Sequence, residues 1–166
     1  MDPENMTMDQ RAAAAGPVDS ETVDAAVASF CEEAGGPQFA LDDDGVAWIP
    51  LGDDRTLVLV HYPSQPGLAI AAPLPAEVAQ DEEALRLLLD ANLTPELTDG
   101  GVFAMPPGAE APMLMRLVTT ADLKAGALAD EAEALIELVE DWIDALADRG
   151  EDEPDDAPRG ATGAMV

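Results

Sequence analysis

The stretch of residues 46–74 decides the fold, and it reads VAWIPLGDDRTLVLVHYPSQPGLAIAAPL. It contains three extended apolar runs, at 46–51, 56–62 and 68–74. Gly52-Asp53-Asp54 joins the first two runs, and residues 63–67 join the last two. Because polar breaks this short leave no room for a crossover, they favour antiparallel neighbours. We therefore predict three consecutive antiparallel strands.

The middle run differs from a strand that faces water on one side. Both of its alternating sets, Leu57 with Leu59 and Val58 with Val60, are apolar. This pattern predicts a strand that is covered on both faces. Pro50 lies inside the first run, and proline cannot donate to a ladder of backbone hydrogen bonds, so that strand is predicted to be an edge or to end there.

A helix is predicted before the strands, from residue 20 to the stop signal Gly35-Gly36-Pro37. Its N-cap is Asp19 or Ser20. Apolar residues recur at helical spacing, at Val23, Ala26, Val27 and Phe30. Cys31 borders this stripe and is interpreted as a small buried hydrophobic residue rather than a reactive thiol. One amphipathic helix therefore precedes the sheet.

A Leu-rich helix follows the acidic residues Asp81-Glu82-Glu83, which suit a helix N-terminus. Apolar residues occupy almost its whole circumference. A helix of this kind is buried on two sides. The second side is covered either by the rest of the monomer or by another subunit, and the sequence leaves both open.

Two further strands, 102–105 and 113–119, precede a last amphipathic helix over residues 128–146 with an acidic outer face. The predicted fold class is α+β: helix, three strands, helix, two strands and helix around a twisted antiparallel sheet. We expect a mobile N-terminal arm at 1–18, a folded domain at 19–149, and an acidic disordered tail at 150–166.

Charge restricts the partners. The 166 residues include 35 Asp or Glu and 7 Lys or Arg, for a formal net charge of −28. This surface repels phosphate groups, so nucleic-acid binding and attraction to anionic membranes are disfavoured. Apolar runs end well short of the ~20 residues of a membrane span. The N-terminus lacks a basic signal-peptide region, and Cys31 is the sole cysteine, so we expect a cytoplasmic protein without membrane insertion or disulfides.

No catalytic motif is recognisable. Asp42-Asp43-Asp44-Gly45 lacks the ligand spacing of a calcium loop and is better interpreted as a turn. His61 is the sole histidine and lies in an apolar run, which favours a packed histidine over a catalytic base. Phosphate-binding glycine loops are missing. We expect no enzyme, no metal and no cofactor, although a buried carboxylate pair is not excluded by sequence.

The order of elements resembles the class I chaperones of type III secretion, the CesT-like family. The segment from Phe39 to Trp48, FALDDDGVAW, looks like the family's first hairpin region, and Leu87 to Leu93, LLLDANL, looks like its Leu-Leu-x-x-Asn-Leu helix end. The resemblance covers Thr22 to Ala147. It implies a bacterial dimeric chaperone that holds the N-terminal segment of a secreted effector in an extended, secretable state without ATP.

We expect the effector to bind at the first helix and the edge strand, around Val27, Phe30, Phe39, Leu41, Trp48 and Ile49. Trp is the residue type most enriched at binding hot spots, although Trp48 or Ile49 packing beneath the first helix is the competing interpretation. The resemblance and the apolar faces of the Leu-rich helix place the dimer interface at Leu85, Leu88, Leu89, Asn92 and Val102.

Two other functions compete with the chaperone. An acidic dimer of this charge is also suited to sequester a basic regulator or to mimic nucleic acid, and the charge alone supports both functions equally. A small metal-dependent hydrolase using Asp42 to Asp44 is the third hypothesis. The salt dependence of partner binding separates the first two, because a charge mimic has a steep dependence and an apolar groove a shallow one.

Overall fold

A computed structural model of the protein describes residues 16–52 and 55–151. The helices are α1 (Ser20–Glu33), α2 (Glu82–Ala91), α3 (Pro95–Thr98), α4 (Thr120–Lys124) and α5 (Leu128–Glu151), and the strands are β1 (Val46–Gly52), β2 (Arg55–Val60), β3 (Gly67–Pro73), β4 (Val102–Ala104) and β5 (Met113–Thr119). A 3-10 helix, Ala76–Gln80, precedes α2. The predicted α+β class and order of elements are confirmed, while α3, α4 and the 3-10 helix are additional short elements.

The five strands form one antiparallel sheet in the order β1-β2-β3-β5-β4. The strand that contains Pro50 is an edge, as predicted, and its register shifts between Pro50 and Gly52. Val58 and Val60 are buried on one face of β2, and Leu57 and Leu59 are buried on the other. The prediction that this strand is covered on both faces is therefore also confirmed.

Helices α1 and α5 cover one face of the sheet and enclose the main core with it. Its fully buried side chains include Leu57, Leu59, Ile70, Leu114 and Leu135. Burying a leucine of this kind stabilises the fold by roughly 1.5–3 kcal/mol. On the opposite face, a smaller apolar cluster consists of Val58, Val60, Ala69, Ala71 and Met113, and Ala109 from the loop after β4 packs against it.

The described domain begins slightly before the predicted boundary at residue 19. Val18 is buried, its N–H donates to the Gln65 carbonyl oxygen at 3.0 Å, and its own carbonyl oxygen lies 3.4 Å from Nε2 of His61. His61 is thus a packed histidine at the end of β2. Residues 1–15 of the predicted arm, and the predicted tail beyond Glu151, lie outside the described residues.

Two aspartates fix the helix starts. Asp19 caps α1, because its side chain accepts the Thr22 N–H at 2.8 Å. Asp81 caps α2 through the N–H groups of Glu83 and Ala84, and its other carboxylate oxygen accepts from Arg149 of α5 at 2.7 Å. Asp81 therefore joins the start of α2 to the end of α5.

Candidate functional site

The outer edge of β1 is partly closed by its own chain. The His61 N–H donates to the Gly45 carbonyl oxygen at 2.8 Å, which makes these residues a hydrogen-bonded pair. Because bonding alternates along an antiparallel pair, the backbone groups of Val46, Trp48 and Pro50 point away from β2. Asp42 forms hydrogen bonds with both outward backbone groups of Val46. Its Oδ1 accepts the Val46 N–H at 2.8 Å, and its own N–H donates to the Val46 carbonyl oxygen at 2.9 Å.

Trp48 is the residue of β1 that keeps an open outward pair, since Pro50 has no N–H. Among the described residues, its outward N–H and C=O have no hydrogen-bond partner outside the strand. Its side chain is 58% exposed. An unpaired strand edge next to a large apolar side chain is suited to accept an extended peptide.

The opposite edge of the sheet is closed differently. The Asn92 side-chain amide donates to the Phe103 carbonyl oxygen at 3.0 Å, and its oxygen accepts the Phe103 N–H at 2.7 Å. The Phe103 ring meets Trp142 edge to face with ring centroids 5.1 Å apart, and the Trp142 indole N–H donates to the Leu97 carbonyl oxygen at 3.1 Å. The β4 edge is therefore bonded to α2 and packed against α5.

On the helix side of the sheet, two hollows lie along α5. The first has a volume of about 510 Å³ and lies between α5, the start of β2 and the segment 72–77. The second, of about 350 Å³, lies between α5, the end of α1 and Leu51. Arg55, Ile136 and Glu140 line both, so the two hollows are adjacent.

The model of the Tir chaperone protein (CesT) family matches residues 25–143. The chain belongs to this family. No curated protein matches its sequence.

Two solved structures share the chaperone's fold. One is described as the crystal structure of the ExsC-ExsE complex, with 19% identity and a TM-score of 0.64 over 76% of this chain and 95% of that chain. The other is described as the HopA1-SchA chaperone-effector complex, with 18% identity and a TM-score of 0.62 over 77% of this chain and 99% of that chain. These two structures confirm the fold, and the family match confirms the predicted resemblance to the CesT-like chaperones.

The six residues predicted to bind the effector do not form one surface of the chaperone. Val27 and Ile49 lie in the core, at 2% and 3% exposed. Phe30 lines the second hollow, while Phe39 and Leu41 are half-buried against the core. Trp48 points to the opposite face of β1 from Ile49, because successive side chains alternate along a strand. The structure therefore separates an edge site at Trp48 from the helix-side hollows.

The residues predicted for the dimer interface fall into two groups, some packed within the subunit and others exposed. Leu88 is buried in the chaperone's own core, Leu85 is half-buried, and Asn92 is bonded to β4. Leu89 and Val102 are 62% and 50% exposed. Sequence reasoning missed two further exposed leucines nearby, Leu93 at 82% and Leu97 at 50%. Their position after a helix of high leucine content was the available signal.

The residues considered for catalysis or metal binding, Asp42 to Asp44 and His61, lie in a turn and in a packed position. In the turn, Oδ1 of Asp42 accepts the N–H groups of Asp44 and Val46, and Gly45 has the positive φ of 77° that glycine tolerates. Within residues 16–52 and 55–151, no group of three or more His, Cys, Asp or Glu side chains could hold a metal ion. Over the same residues, no helix combines the length and the apolar character required to cross a bilayer.

Proposed function

We propose that the protein is a bacterial cytoplasmic type III secretion chaperone that binds the N-terminal segment of an effector in an extended state, without ATP and without catalysis. The observation that carries this proposal is the open backbone pair of Trp48 at the β1 edge, beside its exposed indole. Membership of the Tir chaperone family supports it. So does the description of a structural neighbour as a chaperone-effector complex.

The β1 edge offers both parts of a peptide site. The N–H and C=O of Trp48 provide main-chain hydrogen bonds, which are independent of the client's sequence, and the indole provides apolar contact area. Asp42 limits pairing on one side and Pro50 on the other, so the added strand is short. Weak pairing of this kind suits a client that must be released for secretion.

We further propose that the chaperone is a homodimer through the exposed leucines on and after α2. The patch consists of Leu89, Leu93, Leu97 and Val102, all at least half exposed. A contiguous exposed apolar patch on a monomer usually marks an interaction site. This proposal keeps Leu89 and Val102 from the predicted interface and leaves out Leu88, which is buried in the subunit, and Asn92, which is bonded to β4.

The test is co-expression with a tagged N-terminal segment of the effector candidate encoded next to the chaperone gene. We expect the wild type to co-purify with that segment and Trp48→Ala to lose it while keeping its melting temperature. Tyr62→Ala is the matched control, because Tyr62 is an aromatic residue 49% exposed on the turn after β2. Equal capture by Trp48→Ala and the wild type would contradict the edge site.

The same complex tests the acidic-regulator alternative. An apolar groove and backbone pairing give partner binding that changes little with salt, whereas a charge mimic loses affinity steeply as ionic strength rises. The dissociation constant measured over a salt series therefore separates the two functions. A steep loss of affinity with rising salt, together with unchanged partner binding by Trp48→Ala, would favour the acidic regulator.

A further inference from the structure

The Arg55 and Glu140 side chains bridge the space between the two hollows along α5. The guanidinium Nη1 lies 2.8 Å from the Glu140 carboxylate Oε1. The two side chains are 42% and 49% exposed, so water screens the pair and its exchange for another ion pair costs little. The bridge therefore divides one continuous groove into two compartments.

The floor of this groove is apolar on both sides of the bridge. Leu74, Val139 and Ile143 line the first hollow, and Phe30 and Ala132 line the second. Ile136 lines both hollows, as Arg55 and Glu140 do. Each compartment thus has the size and lining to accept apolar side chains of a bound segment.

The rim of the groove carries mostly negative charge. Four carboxylates, Glu77, Glu133, Glu137 and Glu140, and one guanidinium, Arg55, line the two hollows. The net charge of the lining is therefore negative. A bound segment with a basic side chain at the bridge gains an ion pair with Glu140, while an acidic one meets repulsion from the carboxylates.

We propose that this groove binds a client segment that carries apolar side chains on both sides of one basic residue, and that Glu140 exchanges Arg55 for that basic residue on binding. The inference rests on the proposed chaperone function and adds the chemical class of the segment that is recognised. It assigns Glu140 as the residue that selects a basic side chain. The groove lies on the helix side of the sheet, opposite the Trp48 side chain, so the two sites are separable by mutation.

The experiment uses two labelled synthetic peptides and the full-length protein. One peptide has leucine clusters flanking a single arginine, and the other has glutamate in place of that arginine. Fluorescence anisotropy is expected to show tighter binding of the arginine peptide. Glu140→Gln is expected to weaken arginine-peptide binding by about fivefold, the scale of one half-exposed ion pair. Arg55→Gln is expected to bind the arginine peptide as tightly as the wild type or more tightly.

Matched controls come from the Glu82 and Arg86 pair on α2, which is exposed and lines neither hollow. Glu82→Gln and Arg86→Gln remove the same charges and are expected to leave peptide binding unchanged. Equal affinity for the two peptides, or equal effects of Glu140→Gln and Glu82→Gln, would overturn the inference. A change of oligomeric mass in Glu140→Gln would also overturn it, because a second copy would then occupy the groove.

Failure of this inference is distinguishable from failure of the proposed function. If the protein shows no preference for the arginine peptide and Glu140→Gln still captures the effector segment, the groove assignment is wrong. The proposed chaperone function then still stands. A wild type that captures no effector segment removes the chaperone function itself. Trp48→Ala is expected to keep arginine-peptide binding, since Trp48 does not line either hollow.

Discussion

Asn92 saturates the outward backbone groups of Phe103: the amide nitrogen donates to its carbonyl oxygen at 3.0 Å, and the amide oxygen accepts its N–H at 2.7 Å. Asn92 follows α2 directly, so the end of that helix closes the β4 edge of the sheet. Sheet edges left open are sites of unwanted pairing. With the Phe103 backbone groups closed, Trp48 of β1 is the place in the sheet where we propose strand addition.

Asn92→Ala is expected to lower the free energy of unfolding by about 1–3 kcal/mol, because two backbone groups of Phe103 lose their partners. Urea denaturation measures the change. Gln38→Ala, at an exposed residue of the loop after α1, is the control and is expected to change little. If Asn92→Ala lowers the free energy of unfolding no more than Gln38→Ala does, water replaces both hydrogen bonds without cost.

Leu93→Asp is expected to convert the dimer to a folded monomer. The side chain is 82% exposed in the single subunit, so a carboxylate there is tolerated by the fold and destabilises only a contact with another copy. Light scattering measures the mass. Leu88→Asp is the contrasting variant, because Leu88 is 2% exposed and a charge there is expected to abolish the cooperative melt. A monomer mass for the wild type would remove the proposed dimer.

Stability is expected to fall in acid partly through the two N-caps. The Thr22 N–H lowers the pKa of Asp19, and the Ala84 N–H, followed by the nearby Arg149 charge, lowers the pKa of Asp81, both from 3.8. Because folding lowers these pKa values, the folded chain binds protons less tightly than the unfolded chain. The stabilisation is therefore present above the unfolded pKa and is lost as pH falls through the folded pKa.

The double variant Asp19→Asn with Asp81→Asn tests this pH dependence, since asparagine also caps helices but does not titrate. Unfolding measured from about pH 6 to about pH 3 is expected to show a flatter acid decline than in the wild type. Asp43→Asn changes an exposed turn residue and serves as the control. Parallel acid declines in the double variant and the wild type would contradict a role for the caps.

Asp43→Asn is also expected to leave stability and client capture within about 0.5 kcal/mol of the wild type, as for an ordinary surface change. The reason is that Asp42, not Asp43, supplies the side-chain acceptors of this turn. Thermal melting with and without calcium or magnesium provides the measurement. A large rise in melting temperature with either ion, abolished in Asp43→Asn, would restore the metal-site hypothesis.

Much of the fold follows from patterns in the sequence. The doubly apolar run around Leu59 predicts its burial on both faces, and Pro50 predicts the edge strand. The contact between Arg55 and Glu140 joins residues 85 positions apart, and no local pattern indicates it. The two-residue period of strands places Trp48 and Ile49 on opposite faces, but which of the two meets the core depends on how α1 and α5 pack against the sheet.

The placement of the two tryptophans gives the protein a built-in pair of fluorescence reporters. Trp48 is exposed at the β1 edge, whereas Trp142 is half-buried, bonded to Leu97 and in contact with Phe103. Emission from Trp48 is expected to respond to a peptide bound along that edge, and emission from Trp142 to separation of α5 from the β4 side of the sheet. A Trp48→Phe variant leaves Trp142 as the single tryptophan emitter, so the difference between the wild-type and variant spectra isolates the signal of Trp48 from that of Trp142.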